Sequence, residues 1–361
     1  MPLTSLRLLA VCIGLAIGIP VALGILWRRG PRTATWALPL VLASVLAAQG
    51  SAMAAVAVQV NRVYGTYPSW SSLFGTPVAP PVLSGSRRVF PPGVVGSASD
   101  TGRYQRIRLT GPRSGISQTV ITWLPPQYHD PRYARTRFPV VMVLGGAQVH
   151  ISYVVQRLDF ARTASAEIRS GRVAPFVAVF PEINVGLPVE TECTDYPGST
   201  QAYTWLNQDV RNWATGALRV APDAQSWSVI GWSTGGYCAA LLHLRNPERF
   251  GAAASVEGYF TPAPDRNTGN LAQLLNQYPN LAHESTPEWL ILNHPPRQVH
   301  LLVMTSNTDP QSRPQAEQFL RRTRGLPGIQ PYLIPNLGHS LDAYRAVLGP
   351  ILGWFAIVGK A

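Results

Sequence analysis

The chain has 361 residues, enough for one large domain with an extension, and charged residues make up only 13% of it. This charged share is about half the usual one, which predicts a stretch of chain that does not meet water. The formal net charge is +12, and nearly all of the basic residues are arginines. These arginines are scattered along the chain and accompany no recognition motif, so nucleic-acid binding is not expected.

Two long apolar runs occupy the N-terminal part of the chain. Residues 6–27 carry no charge after Arg7, and residues 34–60 carry none. Each run is long enough to cross a hydrocarbon core of about 30 Å as a helix. Two buried helices of a soluble protein are the alternative, but neither run has the polar face that such helices show. The sequence therefore predicts a two-helix transmembrane anchor over residues 1–60.

A short basic loop, RRGPR at 28–32, separates the two runs. By the positive-inside rule this loop stays in the cytoplasm, so both termini face outward, together with everything after residue 62. Alternatively, residues 28–54 act as a late signal peptide, because Ala52-Met53-Ala54 resembles a cleavage site. In either interpretation the C-terminal part is exported from the cytoplasm. The composition of the chain, rich in Arg, Ala, Gly and Pro, is typical of a GC-rich bacterial genome. We therefore expect a bacterial membrane protein with an extracytoplasmic domain.

Residues 61–102 are rich in Pro, Gly and Ser and predict a linker, and residues 103–361 form the main predicted domain. Two alternating segments at its start predict an antiparallel pair of strands, 103–109 and 118–124. Six continuous apolar runs follow, as expected for strands buried on both faces of a sheet: 139–146, 175–185, 226–233, 251–260, 299–307 and 329–336. Helical patterns lie between them at 156–170, 203–218, 235–245, 268–277, 314–324 and 341–354. This alternation implies a mostly parallel sheet flanked by helices and predicts the α/β-hydrolase fold.

The segment Gly231-Trp232-Ser233-Thr234-Gly235 lies between a predicted strand and a predicted helix. This is the G-x-S-x-G pattern of a nucleophile elbow, in the strand–turn–helix context that the pattern requires. The glycines let strand and helix approach closely through a sharp turn, which lifts the serine hydroxyl clear of the sheet. An ordinary turn serine is the alternative, since the bare pattern also occurs by chance. The context favours Ser233 as a nucleophile.

A serine nucleophile needs a general base, and the candidate is His339, because it follows the last predicted strand and begins a helix. A loop or capping histidine is the alternative. The acid that orients the base is expected at Asp309, just beyond the preceding strand, which gives the chain order Ser, Asp, His of this fold. Asp309 could instead cap a turn, because Pro310 follows it. Glu257, after the strand before that, is the second candidate for the acid.

The oxyanion of a tetrahedral intermediate needs backbone donors. The Thr234 N–H is the first candidate, because it lies at the N-terminus of the helix after Ser233. The second is the Ala147 N–H in the loop Gly145-Gly146-Ala147-Gln148, whose small residues let the backbone approach the intermediate. A glycine turn without a catalytic part is the alternative. The sequence shows no paired metal-ligand spacing, phosphate-binding loop or dinucleotide fingerprint, so we expect neither a metal nor a cofactor.

Three segments resemble the "putative esterase" family of α/β-hydrolases: FPVVMVLGGAQ (138–148), GWSTGGYCAALLHLRNPERFGAAASVEGYF (231–260) and GHSLDAYRAVLGPILGWFA (338–356). That family includes esterase D, enterochelin-type siderophore esterases, feruloyl esterases and the mycolyltransferases of actinobacterial envelopes. The resemblance covers about residues 103–356. It implies a triad and an oxyanion pair at the positions already named: Ser233, Asp309 and His339, with Thr234 and Ala147.

Two details resemble exported actinobacterial members of this family. Leu144-Gly145 stands where the usual His-Gly precedes the oxyanion loop, as on the mycolyltransferase side of the family. Glu192-Cys193-Thr194-Asp195 is similar to a segment of exported actinobacterial members. The resemblance implies that Cys193 pairs with Cys238 in a disulfide, which would tie the helix after Ser233 to a loop at the rim of the site.

Three functions fit these residues. The first is a membrane-anchored extracytoplasmic serine esterase that cleaves a lipid or cell-envelope ester through an acyl-enzyme on Ser233. The second is an acyltransferase of the mycolyltransferase type, which passes the acyl group to a sugar or lipid hydroxyl with the same catalytic groups. The third, an envelope-binding domain without activity, is disfavoured because the serine, the histidine and the aspartate are all present.

Overall fold

The computed structural model describes residues 3–29, 37–64, 67, 70–74 and 101–359. Part of the predicted basic loop and most of the predicted linker, 61–102, lie outside the described residues, so those predictions stay predictions. The chain divides into two compact units. The first unit contains residues 1–77, 307–311 and 335–340, and the second contains residues 78–306, 312–334 and 341–361.

Two long helices, α1 (Leu6–Arg29) and α2 (Ala37–Tyr64), make up most of the first unit. They pack against each other, and the Arg62 Nε–H donates a hydrogen bond to the Thr4 carbonyl across 3.1 Å. This bond joins the end of α2 to the start of α1, so the helices run antiparallel. A short helix, α3 (Trp70–Leu73), follows in the chain.

Apolar side chains are exposed along both long helices, among them Ile17 (62%), Leu46 (68%) and Met53 (74%). Such surfaces are unfavourable in water and typical of helices that face lipid. Both helices are long and apolar enough to cross a membrane. The C-terminal helix, Leu341–Val358, also meets that criterion, but 56% of it is buried.

An eight-stranded sheet runs through the second unit. Its strands are β1 (Arg103–Thr110), β2 (Ser117–Leu124), β3 (Val140–Leu144), β4 (Val177–Pro181), β5 (Trp227–Trp232), β6 (Ala252–Val256), β7 (Leu301–Ser306) and β8 (Ile329–Ile334). Their spatial order is β1-β2-β4-β3-β5-β6-β7-β8. The pairs β1/β2 and β2/β4 are antiparallel, and the remaining pairs are parallel. The predicted fold class, a mostly parallel sheet with an antiparallel hairpin at one edge, is confirmed.

Burial explains the two kinds of strand pattern in the sequence. Every residue of β3, β4, β6 and β7 is buried, as continuous apolar runs predict for strands covered on both faces. The edge strand β1 is largely exposed. The carboxyl ends of the parallel strands all lie on the same side of the sheet. Ligand sites of open α/β sheets form just beyond these strand ends.

The helices of the second unit are α4 (Ile151–Leu158), α5 (Phe160–Arg169), α6 (Ala202–Thr204), α7 (Arg211–Ala217), α8 (Thr234–Arg245), α9 (Leu271–Gln277), α10 (Pro279–Glu284), α11 (Pro287–Asn293), α12 (Arg313–Arg322) and α13 (Leu341–Val358). A π-helical stretch, Trp205–Val210, joins α6 to α7. Helix α8 packs against β5 and β6, and α13 packs against α4 and α5. Helix α8 is therefore the element that connects the predicted nucleophile to the core.

Two sequence predictions differ from the structure. The helix predicted over 156–170 begins earlier, at Ile151, and is interrupted at Asp159, whose left-handed backbone (φ 49°) separates α4 from α5. Between the predicted strands 251–260 and 299–307 the sequence predicts one helix, 268–277, whereas the structure has three: α9, α10 and α11. Helices α10 and α11 each begin with a proline, which the first helical position accepts because no hydrogen bond from its nitrogen is needed there.

Candidate active site

Ser233 lies at the sharp turn between β5 and α8. Its backbone has φ 56° and ψ −123°, a combination that residues other than glycine rarely adopt. The Ser233 N–H donates a hydrogen bond to the Val256 carbonyl across 2.9 Å, and the Ser233 carbonyl accepts one from the Gly236 N–H across 2.8 Å. Neighbouring backbone thus holds the strained turn, and the Ser233 side chain is partly exposed. This is the geometry of a nucleophile elbow.

The glycines of the G-x-S-x-G pattern permit this turn through close backbone contacts. A Cβ atom added at Gly231 would overlap the carbonyl group of Gly235. A Cβ atom added at Gly235 would overlap the carbonyl oxygen of Gly145, in the loop after β3. The first contact closes the turn between strand and helix, and the second seats the start of α8 against the loop that carries Ala147.

The loop after β3 lies directly against the elbow. A Cβ atom added at Gly146 would lie 2.7 Å from the Trp232 ring and 3.5 Å from the Ser233 Cβ atom. Ala147 follows in a turn. Among the described residues, neither the Ala147 N–H nor the Thr234 N–H has a hydrogen-bond acceptor. Both groups can therefore donate to a ligand oxygen, as the sequence predicts for oxyanion donors.

Asn184, which follows β4, fixes the loop that carries Ala147. The Asn184 Oδ1 atom accepts a hydrogen bond from the Gln148 N–H across 2.8 Å. Its Nδ2 group donates to the carbonyls of Gly146 and Val149 across 3.2 and 3.1 Å. Asn184 is only 6% exposed, so water competes little for these bonds. No motif in the sequence pointed to this residue.

Glu257, the second candidate for the acid, contacts the tryptophan of the elbow. It follows β6, is fully buried, and has a left-handed backbone (φ 51°). Its Oε2 atom accepts a hydrogen bond from the Trp232 Nε1–H across 2.9 Å. One structural role of Glu257 is therefore to hold the indole ring that packs on Gly146.

Asp309 and His339 belong to the first unit, on segments that follow β7 and β8 in the chain. The Nδ1 atom of His339 lies 2.9 Å from Oδ2 of Asp309. The other carboxylate oxygen, Oδ1, accepts a hydrogen bond from the Gln311 N–H across 2.8 Å. The Gly338 N–H donates to Oγ1 of Thr308 across 3.1 Å, which fastens the two segments together. A carboxylate at Nδ1 favours the tautomer in which Nε2 accepts a proton, so the pair has the geometry of an acid and a general base.

Cys193 and Cys238 form a disulfide bond with their Cα atoms 5.9 Å apart. Both residues are buried. Cys238 lies one turn after Thr234 in α8, and Cys193 belongs to the long connection after β4. The bond thus fastens that connection to the helix that begins at the elbow.

A second buried cluster adjoins the elbow. The Tyr259 hydroxyl lies 2.9 Å from Oε1 of Glu192 and 3.2 Å from Oγ1 of Thr234. Its ring stacks on that of Tyr237, with centroids 4.8 Å apart. Burial raises the pKa of Glu192 to about 7. Sequence analysis missed this cluster; the only signal for it was the position of Glu192 directly before Cys193.

A sequence model of the family described as "Putative esterase" matches residues 113–321, more than half of the chain. Over 145 residues the chain is 28% identical to the MPT51 antigen of Mycobacterium leprae (strain TN), a match that covers 39% of this chain and 46% of the relative. It is 26% identical over 145 residues to the MPT51/MPB51 antigen of Mycobacterium tuberculosis (strain ATCC 25618 / H37Rv), which covers 39% and 47%. The chain thus spans about half the length of the curated relatives it matches.

Solved structures share the fold of the second unit. A ferulic acid esterase superposes with a TM-score of 0.62 at 18% identity, over 72% of this chain and 99% of that chain. An S-formylglutathione hydrolase from Agrobacterium tumefaciens gives a TM-score of 0.60 at 18% identity, over 73% and 98%. The fluorophosphonate-binding serine hydrolase FphF of Staphylococcus aureus gives 0.57 at 14% identity, over 70% and 98%. Because the family model matches more than half of the chain, the chain belongs to the putative esterase family, and its fold is that of the α/β-hydrolases.

Proposed function

We propose that this protein is a serine esterase that cleaves a carboxylic ester through an acyl-enzyme on Ser233. His339 is the general base, and Asp309 is the acid that orients it. The single observation that carries the proposal is the strained backbone of Ser233, with φ 56° and ψ −123° at a strand–helix turn. Backbone strain of this kind concentrates at active sites, where the surrounding structure maintains it.

In the first half of the reaction the ester loses its alcohol. The Ser233 Oγ atom attacks the carbonyl carbon while Nε2 of His339 takes the hydroxyl proton. The carbonyl oxygen becomes an oxyanion, to which the N–H groups of Thr234 and Ala147 donate. When the intermediate collapses, the C–O bond to the alcohol breaks, and the imidazolium returns its proton to the leaving oxygen.

In the second half, water replaces the alcohol. His339 takes a proton from a water molecule, whose oxygen attacks the acyl carbon, and the same N–H groups stabilise the second oxyanion. The bond to Ser233 Oγ then breaks, the serine recovers its proton, and the carboxylic acid leaves. Asp309 stabilises the imidazolium in both halves and keeps its own charge. Side chains and backbone N–H groups of the chain supply every catalytic group in this sequence of steps.

Full-length protein in detergent micelles provides the test of this activity. We expect hydrolysis of nitrophenyl esters, and a loss of activity of about 10⁴-fold or more in Ser233→Ala. The matched control is Ser199→Ala, because Ser199 is exposed and its side chain makes no hydrogen bond in the described part of the chain. Undiminished hydrolysis in Ser233→Ala would show that another residue is the nucleophile.

We also propose that the enzyme lies in a bacterial cell membrane with the second unit outside the cell. This proposal is supported by the exposed apolar surfaces of α1 and α2 and by the arginines predicted to stay in the cytoplasm. A membrane anchor would hold the site near its substrate, which we propose to be a lipid or cell-envelope ester.

Protease treatment of intact spheroplasts tests this orientation. Protease added outside should remove the second unit, while inside-out vesicles should protect it. Protection in spheroplasts would contradict the orientation. N-terminal sequencing of the mature protein checks the signal-peptide alternative, because cleavage after Ala54 would leave a chain that begins at Ala55.

Transfer of the acyl group to a hydroxyl is the second candidate function. It needs the same catalytic groups, because an acceptor alcohol takes the place of water in the second half. Two observations support transfer as a candidate function. Leu144-Gly145 resembles the mycolyltransferase side of the family, and the curated relatives are mycobacterial MPT51 antigens. New ester formed only in the presence of a sugar or lipid alcohol would establish transfer, whereas free acid alone would establish hydrolysis.

A further inference from the structure

Glu192 is a buried carboxylate beside the elbow that has no part in the proposed triad. It is 3% exposed, and its backbone is left-handed, with φ 44°. The Ala263 N–H lies 3.0 and 3.3 Å from its two carboxylate oxygens. The next residue, Cys193, is covalently fixed to α8 by the disulfide. A carboxylate in such a setting is energetically unfavourable unless its partners compensate, so its contacts indicate what it does.

Two hydrogen bonds connect Glu192 to Thr234. The Tyr259 hydroxyl lies between them, 2.9 Å from the carboxylate and 3.2 Å from the threonine hydroxyl. The Tyr259 ring is held on one face by Tyr237 of α8, whose ring is nearly parallel at 13°. Thr234 directly follows Ser233 and carries one of the two proposed oxyanion donors. The carboxylate therefore reaches the oxyanion site through one rigid aromatic side chain.

We infer that Glu192 is a positioning residue for the proposed ester cleavage: through Tyr259 it fixes Thr234, whose N–H stabilises the oxyanion. This inference rests on the proposed function, because it assigns a role within the same site. Glu192 itself touches neither the substrate nor Ser233 in this scheme. Its effect is expected on the transition state, and therefore on kcat, more than on substrate binding.

The protonation state of Glu192 sets the direction of both hydrogen bonds. An ionised carboxylate can only accept, so the Tyr259 hydroxyl donates to it, and the tyrosine oxygen accepts from the Thr234 hydroxyl. A protonated carboxyl group donates to the tyrosine oxygen, and the Tyr259 hydroxyl then donates to Thr234. Protonation thus reverses both bonds and releases the threonine hydrogen that was directed at Tyr259.

This reversal falls within the pH range in which enzymes work. Burial raises the pKa of Glu192 to about 7; the hydrogen bonds from Tyr259 and the Ala263 backbone oppose that rise, and the neighbouring carboxylates add to it. The titratable groups that face Glu192 are Glu190, Asp265, Tyr196, Tyr237 and Tyr259. Burial raises the pKa values of all three tyrosines, so these stay neutral at that pH. The chain of bonds that runs from the Thr234 hydroxyl through Tyr259 to the carboxylate is therefore present above about pH 7, and its direction reverses as the pH falls below that value.

The test compares kcat and KM against pH for three variants of the full-length protein, with a nitrophenyl ester as substrate. Glu192→Gln removes the ionisation, and Tyr259→Phe removes both hydrogen bonds. Each should lower kcat about tenfold at pH 8, leave KM within about twofold, and abolish an ionisation of kcat near pH 7. Glu190→Gln is the matched control: Glu190 is also buried, at 8% exposure, but does not bond Tyr259, so the ionisation should remain, at a lower pH because one neighbouring negative charge is gone.

Fluorophosphonate labelling of Ser233 separates the two possible failures. If Ser233 is labelled in every variant but the pH profiles coincide with that of the wild type, Glu192 has no positioning role and only the inference is wrong. A lower melting temperature without loss of the ionisation would indicate a merely structural role and would also overturn it. If the wild-type protein takes no label and cleaves no ester, the proposed function fails and the inference fails with it. If Glu192→Gln does not fold, the pH dependence of kcat in Tyr259→Phe alone tests the inference.

Discussion

The Nδ1 atom of His339 lies 2.9 Å from Oδ2 of Asp309, and these two side chains are only 10% and 0% exposed. A buried carboxylate that accepts from Nδ1 orients the imidazole ring and leaves Nε2 as the proton acceptor, which is what the proposed general base requires. Sequence order left two candidates for the acid. The hydrogen bond to Nδ1 favours Asp309; the other candidate, Glu257, accepts a hydrogen bond from Trp232.

Asp309→Asn should lower kcat by about 10⁴-fold, because the amide favours the wrong histidine tautomer without changing the shape of the site. Steady-state kinetics on a nitrophenyl ester measures this loss. Glu257→Gln is the matched control and should lower kcat by no more than about tenfold, through a less firmly held Trp232. A larger loss in Glu257→Gln than in Asp309→Asn would identify Glu257 as the acid.

Asn184→Ala should lower kcat by about tenfold while KM changes little. The substitution removes the side chain that accepts from Gln148 and donates to Gly146 and Val149, so the Ala147 N–H is less well aligned with the oxyanion. Asn293→Ala, at an exposed position of α11, is the control and should leave both constants unchanged. Equal kinetics for the two variants would remove Ala147 from the proposed oxyanion site.

Gly235→Ala should destabilise the protein by about 2–3 kcal/mol, because the added methyl group meets the backbone of Gly145, which cannot move aside cheaply. Gly216→Ala is the control. Nothing lies within 4 Å of a Cβ atom at Gly216, and alanine favours the helix there by up to about 1 kcal/mol. Thermal unfolding of both variants in detergent compares them. A melting temperature for Gly235→Ala equal to that of the wild type would contradict the close packing of the elbow.

Replacing both Cys193 and Cys238 by serine should lower the free energy of unfolding by about 2–4 kcal/mol, because the bond closes a loop with a sequence separation of 45. Adding a reductant should lower the melting temperature of the wild type in the same direction. Cys12→Ser should change neither value, since Cys12 is a free thiol. Intact-mass analysis of the alkylated native protein provides a direct check: two modified thiols at Cys193 and Cys238 would rule out the bond.

Much of the fold could be predicted because its signals are local. Continuous apolar runs such as VVMVL identify strands buried on both faces, and the G-x-S-x-G pattern needs its glycines for contacts that the structure shows at Gly231 and Gly235. The order of the strands within the sheet, in contrast, could not be predicted from the sequence. The chain places β4 between β2 and β3 in space, and no local pattern records which strands become neighbours.

The parts of the site that sequence analysis missed depend on contacts between residues far apart in the chain. Glu192 and Tyr259 are separated by 67 residues, and Asn184 and Gln148 by 36. Glutamate and asparagine are mostly surface residues and tyrosine is intermediate, so only their burial in the structure reveals that they have specific partners. The two prolines that begin α10 and α11 were similarly ambiguous, because proline both ends and begins helices.

Labelling of the full-length protein with a fluorophosphonate, followed by mass spectrometry of the modified peptide, tests whether Ser233 is an activated nucleophile. We expect one label, on Ser233, which disappears in His339→Ala because the serine then lacks its base. A folded protein that takes no label, or that is labelled at another residue while Ser233 stays unmodified, would contradict this expectation.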